Sequence, residues 1–196
     1  MKRKKLSLPL FLLTLLLTSL ACTVFVGGPD YSDRTPIPVS AESAESLKEE
    51  IKRAFEAGVE TGEVTIRITE PQITSVLALR LQSDPNLQED QKPFIIDPQV
   101  YLRDGQMQIF GKTQQGMLTA NIGIIVAMSV DENGKPKIEI TSADFGPLPA
   151  PDTLKEAISA MIDEAYTGSI GPVATGLRIQ SIAIADGVMV IYGRIR

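Results

Sequence analysis

The chain lacks histidine and tryptophan altogether and has one cysteine among its 196 residues. Each absence closes a class of chemistry. Without histidine there is no Ser-His-Asp or Cys-His machinery and no imidazole-held metal. A lone cysteine permits neither an intrachain disulfide nor a thiolate metal cluster. Aromatic residues make up 5%, which does not suggest a sugar-stacking cleft. Cations are outnumbered, with 19 Lys and Arg against 24 Asp and Glu, a formal charge of −5. So acidic a chain lacks the basic face that nucleic-acid phosphates require. The length is that of one domain, and the missing histidine favours binding over catalysis.

What is present begins at the N-terminus. Met1-Lys2-Arg3-Lys4-Lys5 precedes an uncharged run from Leu6 to Ala21, and Cys22 follows. A short basic segment, an apolar run and small residues near its end have the form of an export signal, with the basic end retained inside. Ser19-Leu20-Ala21-Cys22 resembles the lipobox of bacterial lipoproteins, where the cysteine thiol takes a diacylglyceryl group and becomes the new N-terminus. That pattern prefers an aliphatic residue at the place of Ser19 and a small one at that of Leu20. An uncleaved anchor is the alternative, because the uncharged run continues to Pro29 and is long enough to span a bilayer. A free exported protein is the third reading. The first two hold the domain against the outer leaflet of the cytoplasmic membrane.

Loss of residues 1–21 removes four cations and no anions, leaving 15 cations against 24 anions, a formal −9. Charge does not hold such a domain to an anionic bilayer; an anchor must. Residues 22–45 read as a tether, since Pro29 and the polar stretch 30–45 together carry three prolines, as in an extended spacer. Residues 46–196 are then the folded domain.

Three capping boxes mark helices: Ser46 with Glu49, Thr69 with Gln72, and Thr153 with Glu156. The first helix, about 46–57, places Leu47, Ile51, Ala54 and Phe55 on one face and stops at Gly58. The second, about 70–82, has a broad apolar arc of Ile73, Val76, Leu77, Leu79 and Leu81. The third, about 153–166, carries the stripe Leu154, Ala157, Ile158, Met161, Ile162 and Ala165. The remainder alternates as antiparallel strands. Val64, Ile66 and Ile68 form one face of a first strand. Asp104-Gly105 signals a two-residue hairpin with positive φ at both positions, pairing Leu102 with Met107 and Val100 with Ile109. Tyr101, Gln108, Arg103 and Gln106 then share a polar face. Residues 117–130 form one very long strand, with Gly123 as a place for a bend or bulge. Asp131-Glu132-Asn133-Gly134 lacks the spaced carboxylates of a calcium loop and reads as a turn.

Residues 100–112 recur as residues 182–194: Asp-Gly, Met, Ile, an aromatic, Gly and a cation fall at the same offsets. Each copy follows a strand and a capped helix, so the chain reads either as a duplicated strand–helix–hairpin unit or as two Asp-Gly hairpins that look alike. In the second copy Ala183, Val188, Val190 and Tyr192 make the outer face apolar as well. That hairpin should be covered on both sides or line an apolar cavity.

Val64-Thr65-Ile66-Arg67-Ile68-Thr69-Glu70-Pro71-Gln72, Pro98-Gln99-Val100-Tyr101-Leu102-Arg103-Asp104-Gly105, Gly146-Pro147-Leu148-Pro149-Ala150-Pro151 and the terminal Ile184-Ala185-Asp186-Gly187 hairpin resemble segments of exported bacterial proteins of the YpmS-like and LmeA-like groups. The likeness covers about residues 63–195. It implies an α+β fold of the tubular lipid-binding type, a long curved antiparallel sheet wrapped around one or two helices, with acyl chains held between them in members that bind lipid. It carries over no catalytic residue.

The residues themselves point the same way. An apolar groove lined by Val76, Leu77, Ile158, Met161, Met189 and Ile191 is the expected ligand site, although methionines at such spacings also fill ordinary cores. Lys112 and Arg194, at equivalent hairpin ends, are the candidate partners of a lipid phosphate; solvated surface charges are the plainer reading. No cofactor or metal is called for. The expected function is a membrane-tethered, extracytoplasmic protein that binds phospholipid or another amphiphile without catalysis. A structural module docking a cell-envelope partner through a filled, dry core is the alternative. A hydrolase using carboxylates alone is the remotest reading.

Overall fold

The structure is a computed structural model and describes residues 23–83, 94–148 and 176–195. Within them lie eight strands and two helices in an α+β arrangement, with a strongly curled mixed sheet that forms a half-barrel. The expected third helix at 153–166 lies outside the described residues.

Helix α1 spans Ala41–Thr61, longer at both ends than its sequence pattern indicates. Ser40, not Ser46, is its N-cap, and its Oγ accepts from the Ser43 N–H at 3.0 Å. Ser46 sits one turn inside, where its hydroxyl donates to the Ser43 carbonyl. The helix also runs through Gly58 and ends at Gly62, which takes φ 75° and donates its N–H to the Gly58 carbonyl. Gly58 has a different task. A Cβ there would stand 2.5 Å from Val64 Cγ2, so the missing side chain lets α1 lie directly on strand β2 (Glu63–Thr69). Helix α2 (Glu70–Gln82) begins as the sequence indicates: Gln72 Oε1 accepts from both the N–H and the hydroxyl of Thr69.

Strands β3 (Ile96–Arg103) and β4 (Gln106–Gln115) form the first hairpin in the expected register, Leu102 opposite Met107 and Val100 opposite Ile109. Asp104 and Gly105 take φ 55° and 74°, the positive pair that the turn requires. Strand β5 (Leu118–Val130) pairs with β4 along one edge. Its other edge is shared: strand β1 (Val24–Phe25) pairs parallel at Leu118 and Thr119, and strand β6 (Pro136–Asp144) pairs antiparallel from Gly123 to Val130. The register shift with β6 falls between Ile125 and Val126, two residues beyond Gly123. Gly123 instead admits the Phe110 ring and Pro29, which a Cβ would meet at 3.1 and 3.2 Å.

Strands β7 (Leu177–Ala185) and β8 (Val188–Ile195) form the second hairpin, with Ile182 opposite Ile191 and Ile184 opposite Met189. These pairs match Val100–Ile109 and Leu102–Met107 position for position, so the two hairpins share one register. Their turns differ, because Gly187 has positive φ and Asp186 does not. Strand β2 pairs with β8, giving a separate three-stranded sheet in the order β2-β8-β7. Ala183 on the outer face of this hairpin is exposed, while Val188, Val190 and Tyr192 are half-buried.

Two large buried clusters and a smaller one, Ile37 with Tyr101 and Phe110, form the core among the described residues. Val64, Ile66, Ile68, Leu102, Leu177, Ile179 and Met189 make the first, under Leu47, Ile51, Ala54 and Phe55 of α1. Leu81, Ile95, Ile122, Ile124, Val126 and Phe145 make the second. Burying such side chains fully stabilises by about 1.5–3 kcal/mol each.

The segment expected as a spacer packs along the sheet instead. Asn121 N–H donates to the Gly27 carbonyl at 2.8 Å, and its side-chain amide donates to the Pro29 carbonyl at 3.1 Å. Tyr31 stacks on Phe110 with ring centroids 5.2 Å apart. Ile37 is buried, and its N–H donates to Gln99 Oε1. This strap packs on Tyr101 and Phe110 of the first hairpin, which is why Tyr101 is buried rather than solvated.

Candidate functional site

The described residues of the expected groove divide between the two clusters. Met189 is 3% exposed within the first, and Ile191, two residues on along the same face of β8, packs against it. Leu77 packs against the second cluster, and Val76 is half-buried in α2. The strand order explains the separation: β8 is the middle strand of its sheet, between β2 and β7, so its inner face meets α1. Ile158, Met161 and Cys22 lie outside the described residues.

The two candidate headgroup cations stay apart, in hairpins of different sheets. Lys112 is exposed on β4, between Ile96 and Asn121 of the flanking strands. Arg194 pairs with Glu63 across the strand at 2.9 Å. Hydrogen bonds from Tyr192 and then Arg194 hold the Glu63 carboxyl below its usual range. Arg194 is thus engaged by a neighbour in its own sheet.

An apolar seam joins the clusters where the sequence placed no ligand. Met107 on β4 and Met128 on β5 touch both. Ile109, Ile138 and Ile140 flank the seam against the second cluster, and Ile182 and Ile184 against the first. All seven are half-buried. Their alternation along β4 to β7 turns every second side chain to the same side. Methionine suits such a place, since its unbranched thioether adapts to irregular contacts. The signal available in the sequence was the inward placement of Met107 and Met128.

A cleft of about 280 Å³ with a mixed lining opens on the strap, between Arg34, Pro36, Ile37, Glu70, Tyr101 and Arg103 among others. The Arg34 guanidinium lies 4.9 Å from the centre of the Tyr101 ring and 4.7 Å from that of Phe110, a cation–π arrangement. The Tyr101 hydroxyl donates to the Thr35 carbonyl at 3.2 Å. Burial raises the pKa of Tyr101 and of Tyr31, so both phenols stay protonated beyond their ordinary range. The Glu70 carboxylate is engaged by Arg103 and by the Leu102 N–H. Reading the strap as a spacer hid this cleft from the sequence.

A second depression, about 310 Å³, lies between Val130, Asp131, Gly134 and Arg178. The Asp131 carboxylate accepts the Asn133 and Lys135 N–H groups at 2.8 Å, which lowers its pKa and makes the segment a turn. Both depressions sit at the lower limit of small-molecule sites, about 300–1,000 Å³. Neither is lined by Val76, Leu77, Met189 or Ile191. No helix among the described residues is long and apolar enough to cross a membrane. Comparison with known protein families, curated proteins and solved structures returns no match.

Proposed function

We propose that the chain is a membrane-tethered, extracytoplasmic protein that binds a lipid or similar amphiphile on the apolar surface between its curled sheet and helices, without covalent chemistry. The fold would then be of the tubular lipid-binding kind. One observation carries this reading: Met107 and Met128 bridge two core clusters along a row of half-buried isoleucines. A seam of large apolar side chains that are neither exposed nor fully enclosed suits an acyl chain better than a polar ligand, because its recognition needs area rather than directed hydrogen bonds. The export signal and Cys22 supply the membrane context.

A second reading, a module that docks an envelope protein, is favoured by the tight packing around Met189 and Leu102, 3% and 0% exposed. Native mass spectrometry of the full chain released from its own membrane separates the two. Lipid binding predicts a retained mass in the range of a membrane lipid. A bare chain that co-purifies with one defined protein would favour docking.

A further inference from the structure

Four of the six large apolar side chains exposed among the described residues gather at one end of the sheet. Val24, Phe25, Met117 and Leu118 are 52, 59, 56 and 41% exposed. The backbone fixes them together: Val24 N–H donates to the Met117 carbonyl at 2.7 Å, Val26 N–H to that of Thr119 at 2.8 Å, and Val24 lies opposite Leu118 in the parallel pair. Met117 is therefore unlike Met107, Met128 and Met189, which face the core.

The charge pattern at this end is distinctive. Residues 23–29 and 112–121 contain no carboxylate and a single cation, Lys112. Every one of the 24 acidic residues lies elsewhere in the chain. These two segments therefore bring no carboxylate of their own toward an anionic surface.

The chain leading to this end is short. Cys22 stands two residues before Val24, at most about 7 Å of backbone. Because residues 24–26 pair with β5 and the strap from Pro29 to Ile37 packs on the sheet, no slack remains between the anchor and the fold. An acyl group on Cys22 and an uncleaved apolar run both bring the bilayer to the same place.

We propose that Val24, Phe25, Met117 and Leu118 seat this end of the sheet in the outer-leaflet interface, so that the domain stands on the membrane in one fixed orientation. This rests on the reading that the chain is tethered at or just before Cys22. The occupant of the patch is the bilayer itself. Side chains so placed enter about 5–10 Å into the headgroup–acyl boundary. Lys112 projects from β4 three residues before Gln115, about 10 Å along the strand, level with the phosphates.

The absence of tryptophan makes any introduced indole a sole reporter. The full chain is reconstituted in phosphatidylcholine–phosphatidylglycerol vesicles as F25W, M117W or, as a remote control on α1, V59W (Val59 is 79% exposed). Brominated acyl chains then quench what they touch. Co-flotation with the vesicles, with blue-shifted emission of F25W and M117W quenched about two-fold and V59W unaffected, is the expected result. Co-flotation with unquenched, solvent-like M117W overturns the proposal and leaves the anchor intact. Blue-shifted but unquenched M117W also overturns it and assigns the patch to a protein partner or a second copy. Failure to float refutes the anchor and the proposal together.

Discussion

The Glu70 carboxylate accepts the backbone N–H of Leu102 at 2.8 Å. Leu102 lies on β3, an edge strand whose outward N–H groups would otherwise be unpaired. One turn along α2, Thr74 Oγ1 accepts the Val100 N–H at 3.1 Å. Gly187 of the second hairpin donates to the Leu102 carbonyl and accepts from the Glu70 N–H. Helix and second turn together close the edge, and the small buried Thr74 and Ser75 let α2 approach closely enough to do it.

Replacing Glu70 with alanine removes the acceptor of the Leu102 amide and the partner of Arg103. A loss of about 2–3 kcal/mol in unfolding free energy is expected, measured by chemical denaturation of the full chain in detergent. Glu70→Gln, which keeps a carbonyl acceptor for Leu102, should lose less.

Much of this edge was hidden in the sequence for a physical reason. The register of both hairpins, the Thr69–Gln72 box and the length of β5 follow from local rules of turn, cap and alternation. Nothing local reveals that the β3 edge needs the Thr74 hydroxyl, or that the start of α1 needs that of Ser75. The first helix begins earlier than its sequence pattern: Ser46 and Glu49 satisfy a local capping rule, yet Ser40 is where the chain turns, fixed by its N–H bond to Ser75. The packing of the strap is invisible to local pattern because its contacts, Tyr31 to Phe110 and Ile37 to Gln99, span 62 residues or more. The groove residues share this limit, since strand order places Met189 and Leu77 in different clusters.

Gly28 tests the strap directly. Its φ is 112°, and a Cβ would stand 2.1 Å from the Asn121 carbonyl oxygen, so Gly28→Ala should lift β1 from β5. Hydrogen exchange should show faster Val24, Val26 and Asn121 amides, with the β7–β8 pairing unchanged.

Gly58→Ala should act in the core. The added methyl would meet Val64 Cγ2 at 2.5 Å and the Glu63 carbonyl at 3.1 Å, forcing α1 off β2 at a cost of about 1–3 kcal/mol. Thermal unfolding of the full chain reads the loss.

Tyr31 and Tyr101 make the strap sensitive to alkali. Burial raises both phenol pKa values in the fold. A raised folded value means that the stability is complete below the ordinary phenol pKa, about 10, and is lost as pH climbs from there toward the folded values. Ultraviolet titration should show two of the tyrosines ionising late, and Tyr101→Phe should remove one late step.

Lipid held along the Met107–Met128 seam is the central claim, and cross-linking reports it by position. The full chain in vesicles doped with a phosphatidylglycerol carrying a photoactivatable acyl chain is irradiated, digested and mapped by mass spectrometry. Adducts on peptides bearing Met107, Met128, Ile182 or Ile184, in addition to those at Phe25 and Met117, are the predicted result. Adducts confined to Phe25, Met117 and their neighbours would contradict it, leaving a protein that stands on lipid without enclosing any.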